Sequence, residues 1–297
     1  MIQRALWSSA AGMAAAARQV DLTANNLANV NTPGFKAARA DFADLVYAAV
    51  QVPVEPAAAA AGGVQAGHGV RLAATPRLWR QGPLQASDSP WDLAIEGGGF
   101  FQVVDPASGE VLLTRGGHFT VSPWPAGQAG PGLPPAQPPG TVPPPGPGPE
   151  TGPAPGGEAL WVTDDAGRPL LADDGQPLTL PPGSRSWVVT PDGEVRAVLA
   201  DGREVVAGRL ALVVPAAPDA LEGRGDGLFA PAGGPLVAVP PGQGGAGRIR
   251  QGMLEQSNVD LATEMTRLLA AQRAYQLNAR AVWTSDEMMG LINRLRP

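Results

Sequence analysis

Apolar residues recur every seven positions at both ends of the chain and in short runs between them. Leu6, Met13, Val20 and Leu27 share one heptad position, with Ala10, Ala17 and Ala24 in the complementary places. Leu254, Leu261, Leu268, Tyr275, Val282 and Met289 repeat the same interval near the other end. Sustained heptads place their apolar residues on one seam and predict helices in a coiled-coil-like arrangement. No Pro or Gly lies between Gln256 and Met289, so the second helix can be long. Ser257 and Asp260 fit a capping box at its start. Asp260 and Glu264 come early and Arg294 and Arg296 late, as the helix dipole favours. Helices over 3–29 and 258–295 would span roughly 40 and 57 Å at 1.5 Å per residue. The two are too long for surface helices of a small β domain, and pairing N-terminus with C-terminus covers both.

Between them the pattern changes to β. Leu93-Ala94-Ile95, Phe100 to Val104, Val111 to Thr114 and Phe119-Thr120-Val121 are short runs of strand-forming residues. Leu160-Trp161-Val162, Trp187-Val188-Val189, Glu194 to Val198, Val205-Val206 and Leu210 to Val214 continue the series. Ser108-Gly109, Asp174-Gly175, Asp192-Gly193 and Asp201-Gly202 separate them, and Asx-Gly pairs suit hairpin turns. The fold class expected is α+β: terminal helices paired as a coiled-coil stalk, with a mostly-β domain inserted between them. The expected boundaries are a terminal assembly domain at 1–50 and 251–297, linkers at 51–67 and 241–250, and a β domain at 68–122 and 158–240.

Composition adds an insert. Gly and Pro together make up 72 of 297 residues, 39 and 33 respectively, yet 44% of the chain is hydrophobic. That mixture fits neither wholesale disorder nor uniform compactness. Residues 123–157 hold 14 Pro and 9 Gly with Glu150 as the one charge. Such a segment cannot bury enough apolar surface to offset its ordering entropy and is expected to be a Pro/Gly-rich surface loop. A net charge of −6 argues against a basic nucleic-acid surface. The absence of Cys excludes disulfides and thiolate chemistry. No run of roughly 18 apolar residues suggests a membrane span, and the N-terminus shows no apolar core with a small-residue cleavage site. Export, if it occurs, is expected to use no cleaved leader. An N-terminal helix rich in Ala on more than one face suggests association with further copies.

The end of the first helix carries a dense motif: Asn25, Asn26, Leu27, Asn29, Asn31, Thr32, Pro33, Gly34 and Phe35. Asn29 or Asn31 can stop the helix as a left-handed cap. Thr32-Pro33-Gly34 reads as a type II turn, with Pro fixing φ and Gly taking it positive. Asn25 and Asn26 weaken helix propensity and are best explained by a hydrogen-bond partner, for which a neighbouring subunit is one candidate.

The stretch Leu22–Lys36 resembles the signature of the bacterial flagellar rod and hook proteins. Gln251–Leu261, with Ser257, Asn258 and Asp260, followed by Gln272-Arg273-Ala274-Tyr275, resembles the other end of that family. Asp92–Val103 and Thr114–Phe119 are similar to its central domain. Within the family the form is most similar to the distal rod, with the proximal rod and hook-type subunits as near alternatives. The resemblance implies a non-enzymatic structural subunit of the flagellar basal body with no cofactor, metal or small-molecule substrate. It implies partners in further copies, neighbouring rod and hook axial proteins, the flagellar type III export apparatus and the rings around the rod. It also implies an open helical assembly with the terminal helices innermost. The chain departs from the pattern where the Pro/Gly insert replaces a short turn between Phe119-Thr120-Val121 and Leu160-Trp161-Val162.

Other motifs carry less. Arg224-Gly225-Asp226 is an adhesion-type tripeptide, and the flanking Gly223 and Gly227 predict an exposed turn. Gly97-Gly98-Gly99 lacks the following helix of a phosphate cradle. Asp164-Asp165 and Asp173-Asp174 lack the ligand spacing of a calcium loop and read as polar turns. His68 and His118 read as structural or solvated. A cell-wall hydrolase would need a paired-acid cleft, which does not stand out, and a secreted adhesin remains the other contrasting class.

Overall fold

The computed structural model describes residues 2–45, 47–49, 65–123, 160–231 and 237–294. The expected Pro/Gly insert at 123–157, apart from Pro123, lies outside them, as do residues 158–159 of the expected β domain and most of the expected 51–67 linker. The chain divides into two compact units. One comprises Met1–Val30, Lys36–Trp79 and Val259–Pro297; the other comprises Asn31–Phe35 and Arg80–Asn258.

The first unit is built on α1 (Ile2–Ala28) and α2 (Leu261–Arg294). They pack against each other. Strands β1 (Asp41–Asp44) and β4 (Val70–Ala74) form an antiparallel pair, as do β2 (Tyr47–Ala49) and β3 (Gln65–Gly67). Ala11 and Ser8 of α1 lie so near Gly69 that an added Cβ would touch Ala11 at 3.0 Å. The expected boundary is therefore displaced: 68–79 belongs with the helices and not with the β domain. Residues 65–67 form a paired strand where a linker was expected.

The second unit holds the hydrophobic core. Strands β7 (Phe101–Val104) and β8 (Val111–Thr114) join β17 (Leu228–Pro231) and β16 (Leu221–Gly225) in a four-stranded antiparallel sheet of order β16-β17-β8-β7. Strands β9 (Phe119–Pro123), β10 (Leu160–Asp164) and β11 (Thr179–Leu180) make a second sheet. A third is β12 (Ser184–Val189), β13 (Glu194–Leu199) and β14 (Glu204–Arg209). Three further strand pairs belong to the unit among the described residues. They are β5 (Leu84–Ala86) with β20 (Met253–Glu255), β6 (Leu93–Glu96) with β19 (Arg248–Gln251), and β15 (Leu212–Val213) with β18 (Ala238–Val239). Inward residues from all three sheets meet in one cluster that includes Phe101, Phe119, Val162, Leu178, Trp187 and Val195. Trp187 is 1% exposed and satisfies its indole N–H on the Pro90 carbonyl at 2.7 Å.

The Asx-Gly signals mark real turns. Gly193 lies between β12 and β13 with φ +85°, where a side chain would be strained. The strands flanking the insert pair as expected for a hairpin, Phe119 opposite Asp164 through to Pro123 opposite Leu160. The expected linker at 241–250 instead contributes Ala246 and Ile249 to the core, with 242–245 exposed. Ile249 is buried in β19, and Gly247 donates to the Gly98 carbonyl at 2.7 Å. Its Gly content serves close backbone approach, since a Cβ at Gly247 would lie 2.4 Å from the Glu96 oxygen.

Candidate functional site

In the first unit the helices run antiparallel, because Gly12 lies against Asn278 while Asn26 reaches Glu264. The seam between them is small and polar. Ala16, Thr23 and Asn26 are buried on α1, and Glu264, Ala271 and Ser285 on α2. These α2 positions, with Asn278 between Ala271 and Ser285, are seven residues apart, three places along from the expected apolar series. The expected residues lie beside this seam: Leu6, Met13, Val20, Leu27, Leu268, Val282 and Met289 are half-buried. Leu261 and Tyr275 are exposed, at 49% and 46%. Leu254 is not helical at all and sits in β20. Small residues let the backbones approach, so the large ones are pushed to the flanks. Leu269, Leu277, Trp283, Met288, Leu291 and Ile292 face outward from α2, each more than 48% exposed.

Asn26 explains its place in the motif. Its side chain accepts from the Ala38 N–H at 2.9 Å and donates to the Ala38 carbonyl at 2.8 Å. It also donates to the Glu264 carboxylate at 3.3 Å. The partner is thus within the chain. Asn25 is exposed, and its carbonyl accepts from the Asn29 side chain at 2.9 Å. Neither Asn29 nor Asn31 takes positive φ, so the left-handed cap expected there is not used. Asn29 ends α1 with an ordinary backbone bond to Asn25 and the amide bond just given.

The helix start differs from the capping box in the same instructive way. Asp260 is the cap: it accepts from the Ala262 N–H at 3.1 Å and the Thr263 hydroxyl at 2.6 Å. Ser257 is buried, and residues 256–258 are engaged in the second unit. Gln256 donates to the Pro83 carbonyl at 2.9 Å, and Asn258 donates through its side chain to Arg80 at 3.0 Å. Helical geometry begins only after those bonds are made. Gln272 and Arg273 are exposed on α2.

In the second unit four separate motifs meet at one buried point. Glu255 is 1% exposed and pairs with Arg115, 6% exposed, at 3.0 Å. Its other carboxylate oxygen accepts from the Gly82 N–H at 2.9 Å. Its backbone carbonyl accepts from Gly34 at 2.7 Å. Arg115 also donates to the Gly97 carbonyl at 2.9 Å and lies over the Phe100 ring, 5.2 Å from its centroid. The Thr32-Pro33-Gly34 turn forms as expected: Phe35 donates to Thr32 and Gly34 has φ +72°. Gly34 is also required for space, since a Cβ there would lie 2.6 Å from the Arg115 carbonyl carbon. Asn258 donates to the Phe35 carbonyl at 3.4 Å. The segment that follows α1 in the chain is thereby joined to the segment that precedes α2. Arg115 and Glu255 escape sequence reasoning because the signal is only their occurrence within motifs, and pairing across 140 positions has no local pattern.

The polar turns are satisfied locally. Asp164 accepts from Ala166 and Arg168 backbone N–H groups at 3.0 and 2.9 Å. Asp174 accepts from Gln176 at 2.9 Å. His118 meets the buried Asp92 carboxylate through Nδ1 at 2.7 Å, a structural contact. Asp226 of the tripeptide has φ +49° in the β16–β17 turn.

Comparison with known proteins gives a consistent result. Residues 7–36 match the model described as flagella basal body rod protein, and residues 250–295 match flagellar basal body rod FlgEFG protein C-terminal. The chain is 33% identical to the flagellar basal-body rod protein FlgG of Borreliella burgdorferi, across 99% of both chains. It is 32% identical to FlgG of Caulobacter vibrioides over 99% of each, and 31% to FlgG of Bacillus subtilis over 96% of each. The flagellar hook protein FlgE of Helicobacter mustelae is 41% identical over 39% of this chain and 26% of its own length.

Proposed function

Because the chain belongs to the family of flagellar basal-body rod proteins that includes FlgG, we propose that it is a structural subunit of the distal rod. It polymerises into a helical tube that carries torque from motor to hook, and it works by packing and not by catalysis. The observation that carries this reading is the outward face of α2. Leu277, Trp283, Met288, Leu291 and Ile292 are 65, 67, 49, 58 and 54% exposed on one helix. An apolar surface of that extent calls for a partner. A second feature complements it. An open groove of about 670 Å³ between α1, the 38–42 segment and α2 is walled by Gly12, Ala15, Ala16, Ala38, Phe42 and Ala271. Large side chains on one surface and small ones on another favour head-to-tail contact between copies, which leads to an open filament.

In the assembled rod the terminal helices form a coiled-coil layer with those of other copies, and the β unit adds a second attachment. Its partners are further copies, the adjoining rod and hook axial proteins, the export apparatus that delivers the chain and the rings that surround the rod. The hook-type reading is weaker, because the hook relative matches much less of the chain than the FlgG relatives do. The test is Leu277→Ser with Leu291→Ser in a strain lacking the native gene. We expect unchanged folding of the purified chain by circular dichroism, loss of motility, and basal bodies whose rods stop short in electron micrographs. Full-length rods and normal swimming would overturn the reading.

A further inference from the structure

We infer that the Asn26–Glu264 contact is the device that selects one register between α1 and α2. The inference deepens the rod reading by naming what fixes the helix pair that rods are built from. The hydrophobic pattern cannot make that choice. On α1 the seam positions repeat as Gly12, Gln19 and Asn26, and on α2 as Glu264, Ala271, Asn278 and Ser285. Each series has a seven-residue interval and no large apolar residue, so a slip of one heptad, roughly 10 Å along the axis, again sets small or polar residues against one another.

What does not repeat is the pair at the end. Asn26 is 1% exposed and Glu264 is 4% exposed. The Asn26 amide is held on one side by both backbone groups of Ala38, at 2.9 and 2.8 Å, so its orientation is set before α2 is considered. It then offers its N–H to Glu264 at 3.3 Å. Glu264 is fixed in turn by Arg267 at 2.7 Å. A slip of seven in one direction puts Ala271 opposite Asn26 and leaves the Glu264 carboxylate without the amide. The other direction puts Glu264 opposite Gln19, whose side chain donates to Thr23 at 3.1 Å. Either slip removes one contact from a buried polar group. A single buried Asn that specifies helix register at some cost in stability is a known use of such a residue.

The chain contains no Cys, so register can be read by disulfide trapping. A Cβ at Gly12 would lie within 2.9 Å of the Asn278 side chain, so Gly12→Cys with Asn278→Cys reports the native register. Gly12→Cys with Ala271→Cys, and Gly12→Cys with Ser285→Cys, report the two slips. The reactions are run on the purified, unpolymerised full chain under mild oxidation. We expect the native pair to exceed each slipped pair by about tenfold or more, the factor that one unmade buried contact is worth. With Asn26→Leu added, that preference should fall to near parity while helix content by circular dichroism is kept. Glu264→Gln, which still accepts from Asn26, should retain the native preference, and Glu264→Leu should lose it. If Asn26→Leu loses its helices, the Glu264→Leu and Glu264→Gln pair decides. Trapping that stays confined to 12–278 in the Leu variants would overturn the inference and assign register to the anchored chain segments at 31–35 and 256–258. Because nothing polymerises in this assay, its outcome is independent of the rod: a motile deletion strain would refute the rod reading without touching the trapping ratios.

Discussion

Removal of Arg115 is the sharpest perturbation of the point where the four motifs meet. Arg115→Met keeps much of the side-chain volume over Phe100 but deletes the guanidinium. The Glu255 carboxylate then keeps the Gly82 N–H at 2.9 Å and loses its cation at 3.0 Å. The Gly97 carbonyl loses its donor as well. With side chains only 6% and 1% exposed, water cannot replace the cation without opening the structure. Breaking a buried pair by removing one partner costs about 3–5 kcal/mol. For a cooperative unit of 150–250 residues, that corresponds to a fall in Tm of roughly 6–20 °C. Differential scanning calorimetry of the purified chain would measure it. Arg115→Met with Glu255→Leu removes both charges and should recover part of the loss. Recovery stops short because Gly82 is left without an acceptor, at about 1–3 kcal/mol. A single variant within about 2 °C of the parent would refute the reasoning. So would a double variant less stable than the single one.

Two further outcomes follow from backbone geometry. Gly34→Ala meets φ +72° and a contact of 2.6 Å to the Arg115 backbone, and should lower stability by more than about 1 kcal/mol in urea unfolding. Gly290→Ala, in α2 with open space around its Cβ, should instead raise it by about 1 kcal/mol, and a loss there would contradict the helix assignment. Replacing 124–157 by a four-residue turn should leave swimming and rod length unchanged, since closing the longer loop costs only about 2 kcal/mol. Arrested rods in that strain would show that the insert contributes a contact.

The elements that local pattern determines were readable from the residues alone. Heptads and the lack of breakers located α1 and α2 to within a few residues. Gly34 announced its turn because only positive φ explains Gly after Pro there. The strands beside the insert were found from their β-branched and aromatic content. What escaped was long-range. The heptad series named Leu6, Val20 and Leu268, yet the helices meet through Gly12, Ala16, Ala271 and Asn278. Backbone approach favours small residues, and the hydrophobic pattern ranks them low. Leu254 fits the heptad arithmetic but pairs as a strand with residues far back in the chain, a competition that periodicity cannot see. Residues 241–250 looked like a linker because Gly is common in linkers. Here Gly is what lets two backbones lie side by side.

The ladder of β9 and β10 closes at Pro123 opposite Leu160. Facing residues in such a ladder hold their Cα atoms about 5 Å apart, whatever length of chain connects them. That rung is therefore a natural port for cargo. An epitope, a fluorescent label or a foreign domain whose own termini lie close together could be spliced there while the hairpin beneath keeps its pairing. Each subunit along a filament would then carry one copy at a defined place.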